Sequence, residues 1–278
     1  MESSLIGARV QRKEDYRFLT GAGQYTDDVA LQGQTYAAFV RSPHAHARIR
    51  KVSTEKAMQA PGVVGIFTGK DLADAKIGGL PCGWLITDVD GQPMKEPAHP
   101  CIAADKARHV GDQVAVVIAE TLQQARDAAE LVEVDYEVLP AIVDPAKARA
   151  KGAPAVHDAA PDNTCYVWAI GDKAAIDAAF AKAAHVTKLD LVNNRLIPNA
   201  IEPRAAVAAY NRAQDEYTLY VTSQNPHVER LLMTAFVLGL PEHKVRVIAP
   251  DVGGGFGSKI FLYAEDVCLT WASKQLNR

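Results

Sequence analysis

Four glycines in five positions, Gly253, Gly254, Gly255 and Gly257 around Phe256, constrain this chain more than any other feature of its sequence. Glycine costs about 0.5–1 kcal/mol more than alanine in ordered backbone, because it has more freedom to lose. Such a run needs a compensating gain. It follows the apolar stretch Val245 to Ala249 and precedes a helical pattern, a place where backbone N–H groups can point at an anion. Close approach of bare backbone to a bound group is one possible gain, and a tight strand-to-helix turn without a ligand is another. Neither common phosphate loop fits. A dinucleotide fingerprint begun at Gly253 needs glycine where Ser258 stands, and a P-loop needs lysine before the hydroxyl residue, whereas Lys259 follows it.

The remainder can build a core around this loop. Apolar residues make up 48% of the 278 and charged residues 23%, the balance of a globular protein and not of a disordered one. A net charge of −3 gives no footprint for nucleic acid or anionic lipid. The purest apolar run, Ala115 to Ala119, is far shorter than the roughly 20 residues a bilayer requires. Cys82, Cys101, Cys165 and Cys268 form no Cys-x-x-Cys pair, so a zinc ribbon, a redox dithiol or a disulfide scaffold is unsupported. The start, Met1–Glu2–Ser3–Ser4, lacks the basic-then-apolar pattern of a secretory leader. A reduced, cytoplasmic protein of two domains is the expectation.

Periodicity predicts an α+β, mixed α/β chain. Strand patterns run over Gln34 to Ser42, His44 to Val52, Val63 to Thr68 and Gln113 to Ala119. Ser53 or Thr54 can cap a short helix, and Thr121 with Gln124 forms a capping box for a helix from Leu122 to Leu131. Val132 to Val138 alternates, with Val132, Val134, Tyr136 and Val138 on one side and Glu133, Asp135 and Glu137 on the other. Residues Lys76 to Pro100 read as a long loop, and Lys151 to Asn163 as the domain boundary. Beyond it come a helix from Asp172 to Ala184 and strands around Val186 to Asn193, Arg204 to Tyr210 and Glu216 to Thr222. A helix from Pro226 to Leu238, a strand from Lys244 to Ala249 and a helix from Phe261 to Lys274 complete the chain.

Besides the glycines, Gln224 is the main chemical candidate. It stands at a strand end, with Asn225 as helix cap and Pro226 at the first helical position. Its amide can donate to an oxo or carbonyl oxygen without bringing charge, or simply bond the local backbone. His44–Ala45–His46 places two imidazoles on one strand face. With Arg48 and Arg50 beside them and no third ligand, they read as a solvated polar face and not as a metal site. The Glu133/Asp135/Glu137 row reads as the wet side of a half-buried strand. No general base stands out.

Several ordered segments then resemble one family. Gly21–Ala22–Gly23–Gln24–Tyr25–Thr26–Asp27–Asp28, Val40 to Ile49, Gly111 to Ala115, Glu202–Pro203–Arg204, the Gln224 segment and Gly253 to Lys259 are similar, in this order, to the large subunit of the molybdenum hydroxylases. That family includes xanthine dehydrogenase, aldehyde oxidase and aerobic carbon monoxide dehydrogenase. The resemblance implies an α/β hammerhead domain over residues 19–140, then the first part of a molybdopterin-binding domain over residues 160–278. It implies a molybdopterin cofactor, with the cytosine dinucleotide as one alternative form, held through a pterin dithiolene with no direct protein ligand to the metal. Gln224 matches the glutamine that donates to the molybdenum oxo ligand, and Gly254, Gly255, Phe256 and Gly257 match the loop packed on the cofactor. Implied partners are an iron–sulfur small subunit, an FAD medium subunit and the remainder of the molybdenum subunit, which carries the catalytic glutamate and without which this chain is expected to be inactive. Ile260 stands where purine-oxidising members carry glutamate, which favours an aldehyde, an N-heterocycle or carbon monoxide as substrate. A non-catalytic chain that only docks partners is the alternative.

Overall fold

The computed structural model describes residues 6–278. The tetrapeptide from which the lack of a leader is read, Met1–Ser4, lies outside the described residues. In chain order the elements are α1 (Asp15–Leu19), β1 (Tyr36–Arg41), β2 (Ala47–Ser53), α2 (Glu55–Met58), β3 (Val63–Thr68), α3 (Gly69–Asp74), β4 (Lys106–Ala107), β5 (Gln113–Ala119), α4 (Leu122–Glu130) and β6 (Glu133–Val138). Then follow α5 (Lys173–Lys182), β7 (Ala206–Asn211), β8 (Glu216–Val221), α6 (Pro226–Leu232), β9 (Val245–Ile248) and α7 (Ala264–Leu276).

These strands make three three-stranded sheets, ordered β1-β5-β3, β4-β2-β6 and β7-β8-β9. All pairs are antiparallel except β8 with β9. The continuous apolar run of β5 explains its central place, since Val114 through Ala119 are all buried between two partner strands. At its end Thr121 Oγ accepts the Gln124 N–H at 3.2 Å and Gln124 Oε1 accepts the Thr121 N–H at 3.0 Å, the reciprocal cap that starts α4. One large core joins the two halves of the chain. Val116 and Ile118 of β5 pack in the same cluster as Leu219 and Val221 of β8 and Val267 and Trp271 of α7. The mixed α/β class is therefore observed, with β8, β9, α6 and α7 anchored by a shared apolar centre.

Several local expectations differ from the structure. His44 and His46 lie in a turn before β2 and not on a strand, because the Ser42 hydroxyl accepts the His44 N–H at 3.1 Å and closes the chain after Pro43. His46 is buried, with Nδ1 2.8 Å from the Pro140 carbonyl, so it is not part of a solvated face. On β6, Glu133 and Asp135 are exposed as expected, and Glu137 pairs with Arg48 at 3.4 Å and Arg50 at 3.3 Å across the ladder with β2. Val138, however, is 62% exposed at the sheet end.

The strand expected around Val186 to Asn193 does not form. The segment pairs with none of the three sheets, and Leu189, Leu191 and Val192 stay exposed. Similarly, Ile176 and Phe180 of α5 remain uncovered. The helix begun at Pro226 widens into a π-helical turn over Met233–Leu238, where the Thr234 hydroxyl donates back to the Arg230 carbonyl at 2.8 Å, and ends at left-handed Gly239. Among the described residues, no helix is long and apolar enough to cross a membrane.

Candidate functional site

Strand β8 delivers Thr222, Ser223 and Gln224 to the joint with α6. Thr222 N–H donates to the Ala205 carbonyl at 3.0 Å, and Thr222 Oγ1 accepts the Ala205 N–H at 3.0 Å, which ties the joint to the start of β7. Asn225 occupies the N-cap position and Pro226 the first helical position, but the Asn225 side chain makes no capping bond. Instead its backbone N–H donates to the Ser223 hydroxyl at 3.0 Å. The sequence signal for the joint holds, while its capping chemistry differs.

The glycine run follows β9, but α7 begins only at Ala264, so these amides are not those of a helix start. The run is a loop of its own. Gly254 and Gly257 adopt φ of 98° and 91°, where a side chain is strained. Phe256 adopts φ of 50° and is 75% exposed, an uncommon conformation for an aromatic residue.

Gln224 sits directly on this loop. Its N–H donates to the Lys259 carbonyl at 2.7 Å, and its side-chain Oε1 accepts the N–H groups of Gly257 at 3.0 Å and Lys259 at 3.3 Å. Only the oxygen of a carboxamide accepts, so these two donors fix its orientation. The Nε2 group, with two N–H donors, faces away from them, on a residue exposed to solvent. A Cβ on Gly255 would overlap the Gln224 carboxamide and come within 2.7 Å of Gln224 Cγ. Close approach of bare backbone is thus what this glycine provides, and its neighbour in the approach is Gln224.

Two charged residues complete the arrangement. Lys259, 2% exposed, donates through Nζ to the Glu202 carbonyl at 2.8 Å and to Glu202 Oε2 at 3.1 Å. Glu202 Oε2 also accepts the Gly253 N–H at 2.6 Å. Both residues stand in the motifs of the family resemblance, yet no local period signals that they meet. Upstream, Asp251 accepts from the Arg17 guanidinium and, at 2.8 Å, from the Gln24 N–H, which anchors the chain entering the loop. That pairing and the backbone hydrogen bond hold the Asp251 carboxyl below its ordinary range.

Near the joint lie two buried carboxyls that form no ion pair among the described residues. Glu229 of α6 is 1% exposed, and burial pushes its pKa up to about 7. Asp266 of α7 is raised well above the ordinary value, first by burial and then by the Glu229 charge. The structure thus brings Gln224, Gly254, Gly255, Phe256 and Gly257 together at one joint, with Gly255 buried against the Gln224 side chain, and leaves His44, His46 and the β6 carboxylates elsewhere. Sequence reading misses the Glu202–Lys259 pair, Asp251 with Arg17, and the buried acids.

Comparison with known proteins gives this geometry a context. Residues 20–140 match the family described as aldehyde oxidase and xanthine dehydrogenase, a/b hammerhead domain, and residues 156–278 match the molybdopterin cofactor-binding domain. The chain belongs to the large-subunit family of the molybdenum hydroxylases. It is 41% identical to the carbon monoxide dehydrogenase large chain of Afipia carboxidovorans, over 96% of this chain and 33% of that one. It is 35% identical to the nicotine 6-hydroxylase large subunit of Paenarthrobacter nicotinovorans, over 98% of this chain and 32% of the other. The crystal structure of quinoline 2-oxidoreductase from Pseudomonas putida 86 superposes with a TM-score of 0.87 at 34% identity, covering 98% of this chain and 34% of that one. The chain therefore spans about a third of the length of these molybdenum hydroxylase subunits.

Proposed function

We propose that this chain is the N-terminal part of the molybdopterin-binding subunit of a molybdenum hydroxylase, with Gln224, Gly254, Gly255, Phe256 and Gly257 lying against the cofactor. The orientation of Gln224 carries the reading. With Oε1 held by two loop amides, Nε2 is left as an uncharged, preset donor at the rim of a loop in which Gly255 has no room for a side chain. Such a donor stabilises negative charge that develops on a ligand oxygen without changing the charge of the site. The residues present therefore fit a cofactor that brings its own ligands. When bound, the molybdenum–pterin centre supplies the redox chemistry, inserting oxygen from water into a carbon–hydrogen bond or oxidising carbon monoxide.

This chain's residues hold and orient. The loop amides limit how closely the cofactor approaches, Gln224 donates to its oxygen, and exposed Phe256 offers an apolar face. Ile260, 40% exposed beside Lys259, presents apolar surface and no carboxylate. That favours an aldehyde, an N-heterocycle or carbon monoxide over a purine. Electrons leave to iron–sulfur and FAD partner chains, and the rest of the molybdenum subunit supplies the general base. The four thiols, all unpaired, support a reducing, cytoplasmic setting.

Metal and pterin analysis after gel filtration tests the cofactor reading, and retention of molybdenum with pterin is the expected result. A chain that assembles with its partners but carries neither would favour a docking role instead. In the assembled enzyme, Gln224→Ala should cost about 1.5–3 kcal/mol of transition-state stabilisation, roughly tenfold to 150-fold in rate. An unchanged rate would reduce Gln224 to a loop residue.

A further inference from the structure

We infer that Glu202 and Lys259 are positioning residues, a buried clamp that closes the two ends of the glycine loop and thereby aims the Gln224 carboxamide. The inference deepens the proposed role of Gln224 and rests on it only for the purpose of the aim, since the clamp itself is a property of this chain. The Lys259 side chain is 1% exposed and that of Glu202 13%. One carboxylate oxygen, Oε2, receives both the Gly253 N–H at the loop's start and the Lys259 ammonium at its end. A third bond, from Nζ to the Glu202 carbonyl at 2.8 Å, fixes the lysine to the glutamate's own backbone. Lys259 then passes the constraint to Gln224 through its own main chain, accepting the Gln224 N–H and donating to Gln224 Oε1. The contacts thus run from Glu202 to Gly253 and Lys259, and from Lys259 to both ends of Gln224.

Stability alone does not explain the choice of a charged pair. Taking two charges out of water is expensive, and well-packed apolar residues of similar volume often hold a fold as well or better. What apolar residues cannot do is accept the Gly253 N–H or reach a backbone carbonyl. The other carboxylate oxygen of Glu202, Oε1, is buried without a partner, so all the pairing is concentrated on the oxygen that faces the loop. The pair sits where directional bonds to two loop ends are needed. A Cβ on Gly253 would lie 2.5 Å from Glu202 Cβ, so this glycine too is required by the clamp's closeness.

Hydrogen exchange on the full chain, followed amide by amide, tests the inference without any cofactor. In the parent protein, the amides of Gln224, Gly253, Gly257 and Lys259 should exchange through one shared opening, because releasing the clamp releases all four. In Glu202→Leu/Lys259→Met, the melting temperature should stay near that of the parent, while those amides exchange at least roughly tenfold faster. In Glu202→Gln, which keeps an acceptor toward the loop, Gly253 should stay better protected than in the apolar pair. Loop amides as protected in the apolar pair as in the parent would overturn the assignment. If the apolar pair fails to fold, the parent decides alone, and independent opening of Gly253 and Lys259 would overturn it equally. Neither result depends on cofactor retention, so a failed clamp and a failed cofactor reading are told apart.

Discussion

Replacing Gly255 with alanine should destabilise the protein in one background and not in another. Gly255 is not among the glycines of positive φ, so alanine meets no left-handed strain there. By restricting the unfolded chain, that change alone is worth about 0.5–1 kcal/mol in favour of the fold. Against it stands the Gln224 side chain, to which the three atoms nearest the new methyl all belong. Forcing the methyl in costs about 1–3 kcal/mol by overpacking. Swinging Gln224 away instead forfeits the bonds from Gly257 and Lys259, at about 0.5–1.5 kcal/mol each. Either escape leaves Gly255→Ala destabilising in the parent, by about 1 kcal/mol at mid-range values and by up to about 2.5 kcal/mol. In a Gln224→Ala background the obstacle is gone, and the same substitution becomes neutral or stabilising by about 0.5 kcal/mol. Guanidinium titrations of the four proteins, followed by far-ultraviolet circular dichroism, measure this cycle. An equal penalty for Gly255→Ala in both backgrounds would refute the contact as the reason for glycine at this position.

Three further outcomes follow from the buried groups. Glu229 has its pKa raised in the fold from 4.5 to about 7, so the folded chain binds its proton more tightly than the unfolded one. The stability it contributes is complete below the lower value and is lost as pH rises through the upper one, a decline of about 3 kcal/mol. Urea midpoints should therefore fall as pH rises across this interval, and Glu229→Gln should flatten the trend; an undiminished slope in that variant would sink the assignment. Cys82 and Cys165 are exposed, whereas burial pushes the Cys101 thiol up to about 12 and raises that of Cys268 as well. Mass spectrometry after brief alkylation should find Cys82 and Cys165 modified in the native protein, with Cys101 and Cys268 reacting only after unfolding. Leu219, with no exposed surface at the centre of β8, should cost about 2–5 kcal/mol as Leu219→Ala, read from the same denaturant titration. A loss below the cost of an exposed site would mean that β8 does not centre the shared core.

Where chemistry is local, residue order was enough. The unbroken apolar run of β5 marks a strand covered on both faces, and the box of Thr121 and Gln124 starts α4 within one turn of chain. The glycine run announces a backbone without side-chain room, and Pro226 marks the first residue of α6. Tertiary structure decided everything that needed a distant partner. The stretch from Val186 to Asn193 has a strand's composition but pairs with no sheet, and His46 is buried with its ring nitrogen against the Pro140 carbonyl. Gln224 takes its orientation from Gly257, 33 residues on, and Lys259 finds Glu202 57 residues back. Periodicity records only the neighbours a residue meets within a turn or a pleat. Hydrogen bonds and ion pairs closed across such distances depend on how the shared core brings β8, β9 and α7 together, and that geometry exists only once the apolar surfaces have packed.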